Sequence, residues 1–593
     1  MIKRLLSILW IFTVILLSAP VITSCGGDDG DEPETPVTPT DPTDPTEPTT
    51  PTSTACQGWP EAYDGVMLQG FYWDSYGDSQ WYQLTEQADE LSQYFSLIWV
   101  PNSGSTSTYS ITGGQTMGYD PCFWLNHNSC WGSENLLKTM ISTFKKKGTG
   151  IIEDVVINHK NGLTSWCDFP DETKGSYVIK WDNTNFSGIC KDDECNQNGY
   201  KTTGAKDTGD NFDGYRDLDH TNAQVQQNVK TYLDYLLKEL GYVGFRYDMV
   251  KGYAAKYTAM YNESAQPQFS VGEYWDGNKT AVVNWLNGTK KDGKIQSAAF
   301  DFPLKYRINS AFSDEAWLNL TQSSLANDQA YQRYAVTFID NHDTYRDDNR
   351  LKKNVCAANA YILCMPGTPC LFLKHWQKYR GTLKKLIALR KAAGINNQSS
   401  ILVSSKQGLG YLLITQGKKG KLRLILGDID DDIFNNQTYN NPDDKWQMAV
   451  SGKNFTVYAN KDVDLTAVKA ITDKDEEAEE TGAFTIPDFC TIDPVATVYA
   501  FFESPSSWNT VTCWAWNSEE NFANGPWPGT KCKAIGMRGN KKVWRWSYYQ
   551  LTIKLPTGII FSNNGEDQTA DLPFKNGGYY NENGELLGIV SGK

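Results

Sequence analysis

Arg246 and Asp248 stand two residues apart in the stretch Gly244-Phe-Arg-Tyr-Asp-Met-Val-Lys-Gly-Tyr253. The apolar run Tyr242 to Phe245 reads as the start of a buried parallel strand. Alternation along that strand puts both side chains on one side of it, with Asp248 at the C-terminal end. A guanidinium beside a carboxylate keeps it ionised, which suits a nucleophile; an ordinary ion pair at a strand end has the same look. Other short apolar runs end alike: Asp154-Val-Val-Ile-Asn-His159, Val271-Gly-Glu273 and Phe338-Ile-Asp-Asn-His-Asp343. Carboxylates and imidazoles at four strand ends equip a site for nucleophilic and acid–base catalysis, if one fold gathers them. Each segment alone says little, because many strands end in a charged residue.

Gathering them calls for parallel strands whose C-termini share a face. Candidate strands run from Gly65 to Phe71, Leu97 to Pro101, Ile151 to Ile157, Val243 to Asp248 and Phe269 to Glu273. Ser297 to Phe302, Ala335 to Asp340 and Pro369 to Leu373 complete eight. Helical patterns alternate with them; the one before the fourth strand places Val225, Val229, Leu233, Leu236 and Leu240 on one stripe. Eight such units predict a (β/α)8 TIM barrel over residues 57–395, with its chemistry at the strand C-termini. Residues 160–220 replace the short loop after the third strand, and long loops in barrels are usually functional.

The four strand ends, in this order, resemble the core sequence regions of the α-amylase family, glycoside hydrolase family 13. Lys251-Gly-Tyr253 and Asp340-Asn-His-Asp343 resemble the plant and liquefying-type bacterial members most. The resemblance spans about residues 57 to 500 and makes the 160–220 excursion an inserted B domain. It implies that Asp248 is the nucleophile, Glu273 the general acid/base and Asp343 the carboxylate that binds and distorts the cleaved sugar. It gives Arg246, His159 and His342 contacts to that sugar, Tyr119 a stacking role and Lys251 a place in the substrate cleft. Gln69, Tyr72 and Trp73, at the end of the first strand, line the cleft in the same reading. Asp154 reads as a brace for Arg246, and nearby acids are expected to raise the pKa of Glu273. One departure stands out: after Tyr119 the family pattern has an Asp where this chain reads Cys122-Phe-Trp-Leu-Asn.

The excursion ends Asp207-Thr-Gly-Asp-Asn-Phe-Asp-Gly-Tyr-Arg-Asp-Leu-Asp-His220. Such a run suits a hard cation seeking six to eight oxygens, and equally a solvated acidic loop. It is not an EF-hand, since no Glu stands at the twelfth position. The resemblance implies a structural Ca2+, held by side chains of Asn158, Asp207 and Asp217 and main-chain carbonyls of Asp210 and Gly252.

Both ends carry further signals. Lys3 and Arg4 precede the apolar run Leu5 to Leu17, and Ile22-Thr-Ser-Cys25 resembles a lipobox. Residues 1–24 are therefore read as a lipoprotein signal peptide, with Cys25 acylated, and 25–56 as an acidic, then Pro/Thr-rich, spacer. The expected location is the cell envelope, lipid-anchored and facing outward from the outer membrane, with starch-uptake surface proteins as candidate partners. After residue 395, short alternating runs predict an all-β C domain over 396–503 and a β-sandwich over 506–593. Trp514, Trp516 and Trp527, with Trp527-Pro-Gly529, resemble the family 26 starch-binding modules, and Trp508 is expected in that module's core. Cys513 with Cys532, and a pair among Cys167, Cys190 and Cys195, are candidate disulfides if the chain is exported. A net charge of -15 excludes nucleic acid as a partner class and fits a neutral polymer. With 20 Trp and 32 Tyr the chain is rich in flat rings of the kind that stack on sugars. The expectation is an endo-acting α-amylase cleaving α-1,4 bonds of starch with retention. Its rivals are a transglycosylating or fixed-product enzyme on the same carboxylates, and an inactive starch-capturing protein.

Overall fold

The computed structural model describes residues 58–106, 117–346, 349–429, 439, 441–475, 486–487, 489–492, 498–523, 525–538, 541–549 and 554–590. The expected signal peptide, Cys25 and spacer lie outside them. Among the described residues no helix is long and apolar enough to cross a membrane.

Eight short strands form the closed barrel: β1 (Met67–Gln69), β2 (Leu97–Val100), β3 (Gly150–Val155), β4 (Gly244–Tyr247), β5 (Phe269–Gly272), β6 (Ala298–Phe300), β7 (Ala335–Phe338) and β8 (Thr368–Phe372). Each pairs in parallel with its neighbours in chain order, and β8 closes on β1. All eight expected strands are present. Their residues are buried on both faces, which is why they read as continuous apolar runs rather than alternating ones. The helix before β4, Ala223–Tyr235, starts on Asn222, whose side chain accepts from the amides of Gln224 and Val225. It buries Val225, Val229 and Leu233, widens over Leu236–Leu240 and ends at Gly241, whose φ of 89° only glycine adopts freely.

The excursion after β3 is tied to the barrel by a two-residue ribbon. His159–Lys160 pairs antiparallel with Arg216–Asp217, His159 opposite Asp217 and Lys160 opposite Arg216. Lys160 is buried and its ammonium donates to the Cys122 carbonyl. Trp124, Trp181 and Phe169 face it at 4.9, 5.6 and 5.7 Å, and burial lowers its pKa to about 8. The unusual Cys122-Phe-Trp run thus supplies a carbonyl and a ring that clamp the root of the excursion.

Past the barrel, β9 (Ser400–Gln407), β10 (Leu409–Gln416), β11 (Lys421–Asp428), β12 (Gln447–Gly452) and β13 (Phe455–Ala459) form an antiparallel sheet in the order β9-β10-β11-β13-β12. The remaining strands are β14 (Val498–Glu503), β15 (Thr512–Trp516), β16 (Thr530–Lys531), β17 (Lys533–Arg538), β18 (Lys541–Tyr548), β19 (Gly558–Ser562), β20 (Leu572–Pro573), β21 (Gly578–Tyr580) and β22 (Leu586–Ile589). They make two sheets, β17-β18-β14-β21-β22 and β16-β15-β19-β20. This corrects the boundary expected at 503: β14 lies inside the terminal sandwich, between β18 and β21. Alternation along a strand reports which face is buried, not which sheet it joins, so the sequence pattern could not assign it. Phe502 of β14 stacks on Phe561 of β19 at 4.5 Å, and Trp508 is buried in the same core. Cys513 and Cys532 meet thiol to thiol in that core, as Cys167 and Cys195 do in the excursion; none of the described cysteines is bonded into a disulfide.

Candidate active site

The strand ends converge on one guanidinium. Arg246, wholly buried at the end of β4, places Nη1 2.7 Å from Asp154 Oδ1 and 2.6 Å from Asp248 Oδ1. Its Nη2 lies 2.6 Å from Glu273 Oε1, though neither atom has a hydrogen-bond partner, so this contact is close but badly aligned. The Trp99 ring of β2 faces the guanidinium at 4.9 Å and donates its indole N–H to Asp154 at 3.1 Å. Asp154 therefore braces Arg246 as expected, and burial raises its pKa to about 7 despite the charge beside it. Burial opposes the charge on Arg246 as well, but Asp154, Glu273 and Asp248 together hold its pKa well above the ordinary value.

Glu273 follows β5 and accepts a 3.2 Å hydrogen bond from the Met249 amide. Its pKa is raised to about 8, first by burial, with Asp248 and Asp343 adding to the effect. The expectation named the neighbouring acids; desolvation is the larger cause. A carboxyl that keeps its proton near neutrality can act as a general acid.

Beyond β7, His342 receives the Gln69 amide at Nδ1, 2.9 Å away, leaving Nε2 near the Tyr119 hydroxyl at 2.7 Å and Asp343 at 3.2 Å. Tyr119 in turn donates to Asp154 at 2.7 Å. His159 points Nε2 at the Tyr119 carbonyl, 2.9 Å away. Burial lowers the pKa of both histidines, so each is a neutral hydrogen-bonding group. Trp73 lies parallel to Tyr119, 5.9 Å between centroids, and Arg346 covers the Trp73 ring at 4.0 Å.

Asp248, Glu273, Asp343, Tyr119, His159, His342 and Trp73 line a cleft of about 590 Å³ together with Phe212, Tyr215, Lys251 and Trp275. Lys251 sits 3.0 Å from Asp276 and 5.1 Å from the Tyr274 ring. Asp248, Glu273, Asp343, Tyr119, His159, His342, Lys251 and Trp73 are thus brought together on Arg246 and the cleft, whereas Gln69 stands behind His342 and Tyr72, expected in the cleft, turns to Asp78 and Lys374 instead. Phe212 and Tyr215 were overlooked in the sequence: they stack on His159 at 4.6 and 5.5 Å. They stand inside the acidic run Asp207 to His220, between its carboxylates.

Among the described residues no three His, Cys, Asp or Glu side chains cluster as a metal site. The expected Ca2+ ligands also include an amide and carbonyls, and the oxygens fit. Asn158 Oδ1 and Asp207 Oδ2 are buried without a hydrogen-bond partner. Asn158 lies 3.3 Å from Asp217 Oδ1, and Asp210 donates its amide to the Lys251 carbonyl at 2.9 Å. Burial raises the pKa of Asp207 to about 6 and of Asp217 to about 8. A Cβ on Gly252 would approach Asn158 Oδ1 to 1.8 Å, so only glycine permits this packing.

On β15, Trp514 and Trp516 are half-buried while Cys513 and Ala515 face the core. Trp514 meets Trp527 at 6.2 Å with 64° between rings, an angled pair rather than a flat surface. Trp516 instead lies over Gly558.

A closed parallel barrel that presents paired carboxylates on one arginine at its strand ends is the architecture of a glycoside hydrolase. Residues 108–385 match the family described as "Alpha amylase, catalytic domain", and residues 500–574 match "Starch-binding module 26". The first match covers the barrel from the loop after β2 to beyond β8, and the second most of the terminal sandwich. The chain is 28% identical over 422 residues to "Probable alpha-amylase 2" of Arabidopsis thaliana, covering 66% of this chain and 93% of that one. It is 28% identical over 400 residues to a "Glucan 1,4-alpha-maltotetraohydrolase" of Stutzerimonas stutzeri, covering 63% and 69%. With "Alpha-amylase 3, chloroplastic" of Arabidopsis thaliana it shares 27% over 421 residues and spans 44% of that longer protein.

Proposed function

We propose that the chain is an α-amylase that hydrolyses internal α-1,4 bonds of starch with retention of configuration. The observation that carries this is Arg246 contacting Asp248 through Nη1 and Glu273 through Nη2. Adjacent nitrogens of one planar group keep the two carboxyls close, and retention needs them only about 5–5.5 Å apart. In the first step an Asp248 oxygen attacks the anomeric carbon while Glu273 gives its proton to the departing glycosidic oxygen. In the second, Glu273 takes a proton from water as the water oxygen attacks that carbon and releases Asp248 as a carboxylate. Tyr119, His159, His342 and Asp343 line the wall where the reacting sugar sits, and their hydrogen bonds strengthen as positive charge develops. Ca2+ held by Asn158, Asp207, Asp217 and the carbonyls of Asp210 and Gly252 would supply rigidity, joining the excursion to the turn after Asp248.

A second reading, release of one fixed short product, is favoured by the similarity to a maltotetraohydrolase and by Trp275, which lines the cleft two residues beyond the acid. A chromatographic time course from soluble starch, with glucose as competing acceptor, separates the two. Mixed-length oligosaccharides appearing early, and absent with Glu273→Gln, support endo-hydrolysis by this acid. One dominant product from the start selects the second reading, and products longer than the donor would show transglycosylation. We further propose that Cys25 is acylated and holds the enzyme on the outer face of the cell envelope, beside other starch-uptake proteins. Cys25→Ala should then shift the protein from the membrane to the soluble fraction.

A further inference from the structure

Outside the cleft, the excursion holds one large aromatic ring out to solvent in a fixed pose. Trp166 is 40% exposed, on a loop with little freedom. Asp168 accepts from the Thr164 amide at 2.9 Å, the Thr164 hydroxyl at 2.6 Å and the Ser165 amide at 2.7 Å. The next residue, Cys167, is buried against Cys195. Behind the indole, the Arg216 guanidinium sits 4.3 Å from the ring centre. Arg216 is only 3% exposed and is fixed in turn by Asp193, 3.0 Å away, and by Glu194. At the flank, the Tyr200 ring lies within 11° of parallel to Trp166, 6.4 Å between centroids, and its hydroxyl accepts the Trp166 amide at 3.4 Å.

Three segments distant in sequence therefore hold this exposed ring in one pose. The guanidinium lies against the indole, and the ring still keeps 40% of its surface exposed. Its chain neighbours Thr164 and Ser165 are exposed and carry hydroxyl groups. The charge against the ring, Arg216, is already paired with Asp193 and Glu194, which suits a neutral ligand. A flat apolar face rimmed by neutral hydrogen-bonding groups is the complement of a pyranose ring, which has a C–H face and a rim of hydroxyls. The ribbon fixes where this surface lies. Opposed residues share a face, so Arg216 leaves on the side of Lys160, opposite to His159 and the cleft.

We propose that Trp166 and Tyr200 form a second glucan-binding platform, separate from both the cleft and the terminal sandwich, that stacks pyranose rings of an α-glucan chain. This rests on the reading of the chain as a starch hydrolase. The test is native electrophoresis of the full chain through gels with and without soluble starch, in a Glu273→Gln background so that the polysaccharide survives. Trp514→Ala with Trp527→Ala removes the two paired tryptophans of the sandwich and defines the parent. Adding Trp166→Ala should weaken retardation by starch about three- to tenfold, the size of one lost aromatic contact. Tyr200→Ala should weaken it too, and Trp166→Tyr should keep at least half of the parent's affinity. A Trp166→Ala protein that unfolds at the parent's temperature and migrates like the parent overturns the platform. If that variant does not fold, unchanged migration of Tyr200→Ala overturns it instead. Failure of the starch-hydrolase reading looks different: the unsubstituted chain would release no oligosaccharide from starch and would not be retarded even with every tryptophan intact.

Discussion

Arg246 faces three carboxyls at once, with Trp99 covering its face. Replacing it with Leu would strand Asp154, Asp248 and Glu273 together away from water. Denaturant unfolding of Arg246→Leu should show a loss of about 3–5 kcal/mol, alongside loss of starch hydrolysis. The acid sets the pH response. Glu273 has a folded pKa raised from 4.5 to about 8, so the folded state binds its proton more tightly than the unfolded chain does. Its contribution to stability is complete below pH 4.5 and is lost as pH rises through 8. As the proposed general acid it is protonated over the same range, so the alkaline limb of kcat/KM should fall near pH 8 and Glu273→Gln should abolish the rate that defines it. These residues were legible because β-strand ends announce themselves: an apolar run stops at a charge. Phe212 and Tyr215 were not, since their contact with His159 depends on the excursion returning to its own root. Periodicity within either stretch carries no trace of that return.

At the scale of elements, the turn after β4 and the end of the excursion are packed backbone to backbone. Asp210 donates to the Lys251 carbonyl, and a Cβ on Gly209 would meet that same oxygen at 2.2 Å. The proposed Ca2+ would lie in this seam, so calcium and seam should fail together. Thermal unfolding should rise on adding Ca2+ and fall in chelator for the unsubstituted chain. Asn158→Ala should leave the unfolding temperature indifferent to both. Gly252→Ala, which drives a methyl into Asn158, should lose the calcium response and also lower stability by about 2–4 kcal/mol. A calcium response left intact in both variants would remove the site. The eight barrel strands were readable because parallel strands buried on both faces appear as compact apolar runs between helical stripes. The ownership of β14 was not, because strand partners are chosen across long separations that local alternation does not encode.

On the scale of the whole molecule, β14 determines where the chain can be cut. Ending it at Ser504 would leave Val498–Glu503, with Phe501 and Phe502, deprived of both β18 and β21. Such an apolar strand with two open edges pairs with copies of itself. That truncation should aggregate on size-exclusion chromatography. Ending at Asp475 keeps the hydrogen bonds of Asp475 to Thr382 and of Lys384 to Asp473, and removes every strand of the sandwich. That shorter protein should elute as a soluble species, hydrolyse soluble starch and bind it more weakly. The ribbon of His159–Lys160 with Arg216–Asp217 imposes another limit, on how the excursion can vary by descent. Residues between its two arms can be added or removed without changing which way the arms face, so the excursion is free to drift in length. A single residue gained or lost between β3 and His159 would invert that arm, sending Lys160 toward the sugar and His159 toward the tryptophans. Insertions in homologues should therefore accumulate inside the loop and be missing from its short stem.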